Sequence, residues 1–439
     1  MSGSKYLTLN ANNVPASGRV SFARGNPILT FTIGRQMADI DMSSLRLSGG
    51  LDIWRTAAGA LSNPGGLPFR PTATAGQAIE LMASQKLGVF GVIDQLVFRH
   101  AETKQVAEHI RHYQRFMSSY LPIMAGTQDQ IGHMSESALI MPNYSAFQQG
   151  VIRNTATSDW CIPLPAGMTL GGERLPLDMF PLEIEVHLSP DSQFFYSEDG
   201  QTTNIADCFY ELSKLQLTCE VMPRSTPSPK TGAFSFNSIT SYFSTLESTN
   251  SIINYNLGLS KVISAFANFV PSSFVNNLAQ DGSLTYLPSQ ADGTLADIDS
   301  ISFLRNGERF PLAFEVDTNH KEDTQTRVVD SQMMKSFLGS IVPESIHNRS
   351  SIGPVNSNRN YLVSDSAAVG YRLIPDGGGS YGIGVLYDLL DSEGVDFRDA
   401  QFSIQMTNGL VDGNPVSAYL FIKSKVTVAF SEMGVEVVS

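Results

Sequence analysis

The chain has 439 residues, 42% of them apolar and 16% charged, and a formal net charge of −13. That length supports two or three hydrophobic cores, since one core stops growing near ~250 to 300 residues. The acidic balance excludes a body that coats itself in nucleic acid through basic faces. Three scattered cysteines, Cys161, Cys208 and Cys219, exclude a disulfide framework and paired Cys-x-x-Cys zinc knuckles, so a reducing compartment is expected.

The charged fraction lies below the usual ~25%, which implies surface that is neutral or covered by partners. No apolar run approaches the ~18 to 20 residues needed to span a bilayer, and residues 1–27 lack the apolar centre of a signal peptide. A soluble chain outside the general export route is expected.

Residues 1–37 contain Lys5, Arg19, Arg24 and Arg35 but no Asp or Glu. Residues 1–27 read either as a flexible cationic arm or as an ordinary polar terminus with dispersed charge. Strands follow at Ile28–Ile33, at Ser43–Trp54 with Leu45, Leu47, Leu51 and Ile53 in phase, and at Val92–Phe98. Between Val106 and Met124 the period changes. Val106, Ile110, Tyr113, Met117 and Tyr120 recur at three- and four-residue steps and predict one amphipathic helix ending before Pro122. Short apolar pieces, including Trp160 and Cys161, occupy Ala138–Pro165.

The clearest strands come next. Leu182, Ile184, Val186 and Leu188 alternate with Glu183, Glu185 and His187, so one face is buried and the other wet. Leu215, Leu217, Cys219 and Val221 alternate likewise with Lys214, Gln216, Thr218 and Glu220, and a slip of one residue would bury charge. The Pro- and Ser-rich segment 222–232 then marks a hinge.

Beyond it, Ser251–Leu257 and Lys261–Val270 read as strands or short helices. Asn306-Gly307 supplies the positive-φ pair of a tight hairpin, and Arg327–Ile341 reads as a helix with Val328, Met333, Met334, Phe337 and Leu338 inward. Strands return at Tyr381–Leu389, Phe402–Met406, Tyr419–Phe430 and Val435–Val438. Strands separated by polar loops in both halves, without βαβ alternation, predict an all-β chain of two similar antiparallel sandwiches, 28–224 and 225–439, with a few short helices in loops. No short sequence repeat relates them.

Candidate chemistry is sparse. Gly377-Gly-Gly-Ser-Tyr-Gly382 matches G-x-G-x-x-G, but Pro375 precedes it and an extended run follows, where a dinucleotide site needs a strand leading into a helix. His100, His109, His112 and His133 lie close in sequence, with His109 and His112 on one face of the predicted helix. They lack a companion ligand motif, and Arg99, Arg111 and Arg115 crowd them, so a solvated helix face is the better reading than zinc. Glu183 and Glu185 share a strand face, as a carboxylate pair in a glycosidase would, but any wet strand face has that spacing. No nucleophile elbow or Cys/His arrangement is present. The residues predict no enzyme activity, no cofactor and no metal site.

The succession of whole segments is more specific. Val92-Ile-Asp-Gln-Leu-Val-Phe-Arg99, a helix through Tyr113–Leu121, Phe180–Leu188 and Tyr210–Val221 resembles the first half of a double jelly-roll major capsid protein. Tyr381–Phe397, Phe402–Met406 and Tyr419–Phe430 are similar to the end of its second half. Capsid proteins of Polinton-like viruses, virophages, adenoviruses and membrane-containing tailless phages form that family. The resemblance implies two eight-stranded jelly rolls in a homotrimer with a pseudo-hexameric outline, tiling the icosahedral shell of a DNA virus. It implies a virion protein made inside the host cell, with penton and minor capsid proteins as further partners. Leu182, Ile184, Val186, Leu188, Leu215, Leu217 and Val221 become first jelly-roll core. Lys5, Arg19, Arg24 and Arg35 become an interior-facing basic arm that touches the genome or an inner membrane. The alternative is a two-domain β-sandwich that binds a glycan or a receptor; a jelly-roll glycan hydrolase is a third reading.

Overall fold

A computed structural model of the chain describes residues 3–57, 60–65, 81–83, 87–124, 137–139, 158–172, 174–197, 207–246, 251–279, 282, 300–311, 316–317, 339–341, 382–387, 394–407, 415–431 and 434–438. Besides a two-stranded ribbon of Leu81–Ala83 with Phe195–Ser197, the first half builds two main sheets. Its strands are β1 (Lys5–Asn10), β2 (Ile28–Ile33), β3 (Ala38–Ala57), β4 (Ile93–His100), β5 (Val106–Ile110), β6 (Ser158–Pro163), β7 (Arg174–Pro176), β8 (Leu182–Leu188) and β9 (Cys208–Pro223). One sheet runs β1-β9-β3, with β6 and β7 both paired to β3; the other runs β2-β8-β4-β5.

The alternation in β8 sets the register of the second sheet. Ile184 lies between Phe31 and Phe98, and Val186 between Leu29 and Leu96, so apolar side chains meet across three strands. Leu182, Ile184, Val186 and Leu188 are buried, as are Leu215, Leu217, Cys219 and Val221 of β9, while Lys214 and Gln216 face out.

The second half repeats the plan with β10 (Gly232–Leu246), β11 (Ser251–Tyr255), β12 (Val262–Pro271), β13 (Ser300–Arg305), β14 (Glu308–Arg309), β15 (Val316–Asp317), β16 (Gly382–Leu386), β17 (Phe402–Thr407), β18 (Val416–Ser431) and β19 (Gly434–Val438). Its sheets run β10-β18-β12-β16 and β11-β17-β13-β14; β15 also pairs with β13 and β19 with β18. Setting aside the terminal β19 and the short pairings of Arg19–Val20 and Ala60–Gly65, and with β6 and β7 sharing one strand position and β14 and β15 another, each half has eight positions. In both halves the first, eighth, third and sixth form one sheet, and the second, seventh, fourth and fifth the other. That nesting is the jelly roll, so the chain is a double jelly roll.

Several expectations change. Residues 1–27 are no flexible arm: β1 pairs along its length with β9, from Lys5 opposite Val221 to Asn10 opposite Gln216, and is the first strand of the first jelly roll. Val106–Met124 is not one helix. β5 pairs with β4, His112 turns the chain at φ 53°, and only Tyr113–Met124 (α1) is helical, running through Pro122. Tyr113, Phe116, Met117, Tyr120 and Leu121 are buried, but so are Gln114, Arg115, Ser118 and Ser119, so α1 is embedded rather than amphipathic. Ser251–Tyr255 and Val262–Pro271 resolve as strands. Asn306 (φ 52°) and Gly307 (φ 83°) form the expected turn. Most of the helix expected at Arg327–Ile341 lies outside the described residues.

Candidate functional site

The two jelly rolls meet along a built junction. The β10-β18-β12-β16 sheet is apolar on both faces. Ala265, Ala267, Leu420 and Ile422 face the interior of the second sandwich, and Phe266, Val270, Tyr419 and Phe421 join the core of the first. That double burial accounts for the loss of apolar/polar alternation over Val262–Val270 of β12 and Ala418–Ile422 of β18. Phe116 of α1 packs 6.3 Å from Phe266 and 6.0 Å from Phe421, which stack on one another at 5.2 Å, and Tyr120 stacks on Phe116 at 5.3 Å. Among these rings Asn268 donates through Nδ2 to the Arg115 carbonyl (2.8 Å) and the Ser119 hydroxyl (2.9 Å).

At the edge of the junction stands Glu108, a carboxyl only 1% exposed. It comes from β5, an outer strand of its sheet, and faces β10, an outer strand of the neighbouring jelly roll. Its Oε1 accepts from the N–H groups of Gly167 (2.9 Å) and Ile239 (2.8 Å), and its Oε2 from that of Met168 (2.9 Å). Arg111 N–H donates to the Ser241 hydroxyl at 3.0 Å alongside. Burial pushes the Glu108 pKa up to about 7, against the opposing pull of the three N–H donors and a Ser238 hydrogen bond. Gly167, which opens the short helix α2 (Gly167–Leu170), permits the approach. A Cβ there would sit 2.1 Å from the Asn237 carbonyl oxygen and 2.6 Å from Glu108 Oε1.

The basic residues near the N-terminus are spent on the first jelly roll. Arg19 and Arg24 pair with Glu211 at 2.6 and 2.7 Å, and Arg19 also approaches Asp52 at 3.5 Å. Both carboxylates are 1% exposed, and both guanidinium groups stack over Trp54. Arg35 forms a two-pronged pair with Glu102. Lys5 is exposed on β1. A free cationic arm is therefore not what these residues make.

The other candidates resolve as structure. Glu183 is buried, not wet; it pairs with Arg99 at 2.5 Å and Lys104 at 2.7 Å. Burial raises its pKa, yet Lys104 and Arg99 outweigh that and hold the carboxyl below its ordinary range. Glu185 pairs with the same Arg99. His109 belongs to β5 rather than a helix and bonds Gln95 at 2.9 Å, His112 packs against Phe243 and Tyr419, and His100 bonds the Met179 carbonyl; His133 lies outside the described residues. Among the described residues no three His, Cys, Asp or Glu side chains are placed to hold a metal, and no helix is long and apolar enough to cross a membrane. Of Gly377–Gly382 only Gly382 is described, and it begins β16.

The architecture places the chain among double jelly-roll folds. Solved structures of viral capsids share the fold across nearly the whole length. The Faustovirus major capsid protein aligns with a TM-score of 0.57 at 9% identity, covering 98% of this chain and 90% of that one. The Sputnik virophage structure aligns at 0.56 and 11% identity, covering 99% and 88%. The PBCV-1 virus capsid aligns at 0.56 and 9% identity, covering 100% and 96%. At such identities the likeness is one of fold. No protein-family model and no curated protein matches the sequence.

Proposed function

We propose that the chain is a major capsid protein whose work is assembly: three copies join into a pseudo-hexameric capsomer, and capsomers tile an icosahedral shell. The observation that carries this reading is the full-length match to three viral capsid structures, two jelly rolls to two jelly rolls. The junction supports it, because a tile that sets lattice angles must hold its two halves in one orientation. So does the low charged fraction, which suits surface destined for contact with other copies. The protein would reside in the virion, bound mainly to itself, with penton and minor capsid proteins at the vertices and seams.

Light scattering and electron microscopy of the purified protein test the proposal. The expected result is a stable trimer with a six-lobed outline, and sheets or shells at high concentration. A monomer at every concentration that is retained on a glycan column would replace it with the binding-protein alternative.

A further inference from the structure

Among the described residues one histidine stands on the junction between the jelly rolls. His112 occupies the left-handed turn between β5 and α1 (φ 53°), and its imidazole reaches the second jelly roll, 5.1 Å from the Tyr419 ring of β18 and 5.8 Å from the Phe243 ring of β10. His100, His109 and His187 are engaged within the first jelly roll, by the Met179 carbonyl, Gln95 and Glu185. The backbone of His112 is engaged as well. Its carbonyl accepts from the N–H groups of Arg115 (2.8 Å) and Phe116 (3.2 Å), so it anchors the first turn of α1, from which Phe116 packs on Phe266 and Phe421.

The charges around the ring are lopsided. Arg115 of α1 lies over the same Tyr419 ring at 5.2 Å, is only 3% exposed, and has its Nη1 buried without an acceptor. Arg111, just past the end of β5, adds a second cation, and its backbone N–H is held by Ser241 of β10. Against these two stands one carboxylate, Asp94 of β4, while β10 and β18 bring Phe243, Ser241 and Tyr419 to the place. Burial lowers the His112 pKa from its ordinary 6.5, Asp94 raises it, and Arg115 and Arg111 lower it again. A neutral imidazole suits this place. An imidazolium meets two guanidinium groups and a Tyr419 ring that already carries one cation.

We infer that His112 is an acid-sensitive latch between the jelly rolls: protonation of its imidazole drives the ring from Tyr419 and Phe243, disturbs the first turn of α1 and loosens the hold of the first jelly roll on the second. The latch belongs to the single chain and does not depend on what the chain assembles into. Its sign is opposite to that of Glu108. A group whose folded pKa is lowered contributes stability that is fully present above about pH 6.5 and lost as pH falls through the folded value, whereas Glu108 contributes more as it protonates.

Hydrogen exchange read by mass spectrometry between about pH 7.5 and 5, corrected for the intrinsic pH dependence of exchange, tests the latch. In the wild type, α1 and the facing β10 should lose protection on acidification, while β11 and β17, in the other sheet of the second jelly roll, keep theirs. His112→Asn tolerates the positive φ and does not titrate, so its protection should stay flat across the range. Asp94→Asn retains the imidazole but removes its attractive charge, so the loss should move to lower pH. If His112→Asn does not fold, that shift decides alone. Parallel profiles in the wild type and His112→Asn, or an Asp94→Asn profile that stays in place or moves to higher pH, would overturn the latch and leave the shell-building reading untouched.

Discussion

Glu108 shows how much one residue decides. A carboxyl removed from water costs several kcal/mol unless donors surround it, and here three backbone N–H groups from two jelly rolls converge on its oxygens. The sign of its pH dependence follows from a folded pKa of about 7 against an ordinary 4.5. Folding favours the protonated form, so the associated stability is fully present below about pH 4.5 and lost as pH rises through about 7. Relative to Glu108→Gln, which does not titrate, the wild type should lose about 3 kcal/mol of unfolding free energy between pH 4.5 and 8. Urea titrations of both proteins across that range check this; parallel pH profiles would contradict it, and the difference cancels other titrating groups. Gly167→Ala should cost about 1–3 kcal/mol or more by overpacking, since the carbonyl it meets is backbone and cannot swing away. Neither residue stands out in the sequence. Glu108 sits two residues from the core residue Ile110, on the same strand face, a position where an acid is a signal once the segment is read as a strand. The three- and four-residue spacing of Val106, Ile110 and Tyr113 pointed to a helix instead, and hid it.

At the scale of elements, legibility followed burial. β8 and the second part of β9 were readable because apolar side chains there alternate with polar ones, although the polar face of β8 is itself largely covered and Glu183 is buried. Val186→Asp or Leu217→Asp should therefore abolish soluble protein, as each sets an unpaired charge among fully buried side chains at a cost of several kcal/mol. Native-like melting of either would contradict the register. β12 was ambiguous between strand and helix because both its faces are buried and alternation vanishes, whereas β18 was legible through the alternation of its second part. β1 was missed because it is a short outer strand whose exposed residues alternate only with Leu7 and Leu9, half-buried against the core. Its presence reverses what truncation should do. Removing residues 1–27 deletes a strand and strips Glu211 and Asp52 of Arg19 and Arg24, leaving two buried carboxylates without those partners. The truncated chain should be insoluble or melt far below wild type. The full-length Arg19→Ala, Arg24→Ala double variant should lose about 2 kcal/mol, since both arginines are partly exposed and solvent screens part of the pairing. A truncated chain that melts like wild type would restore the arm.

For the whole molecule, the arrangement of cores sets the cooperativity. One core fills the first jelly roll and runs through α1 into the outward face of the β10-β18-β12 sheet; the other is confined to the second jelly roll. The second half thus owes one face of its main sheet to the first. Expressed alone, residues 225–439 would present Phe236, Phe266, Val270 and Phe421 to water, a contiguous apolar patch of the kind that drives association. The expected outcome is aggregation or strong binding of a hydrophobic dye, relieved when residues 1–224 are co-expressed and cover that face. The intact chain should accordingly unfold in a single calorimetric transition whose measured enthalpy matches its van't Hoff value, because neither half reaches its native burial without the other. Two resolved transitions, or a soluble 225–439 fragment that binds no dye, would show that the jelly rolls are independent modules on a hinge. A hinged pair would leave their relative angle free, whereas the continuous core fixes that angle within each chain.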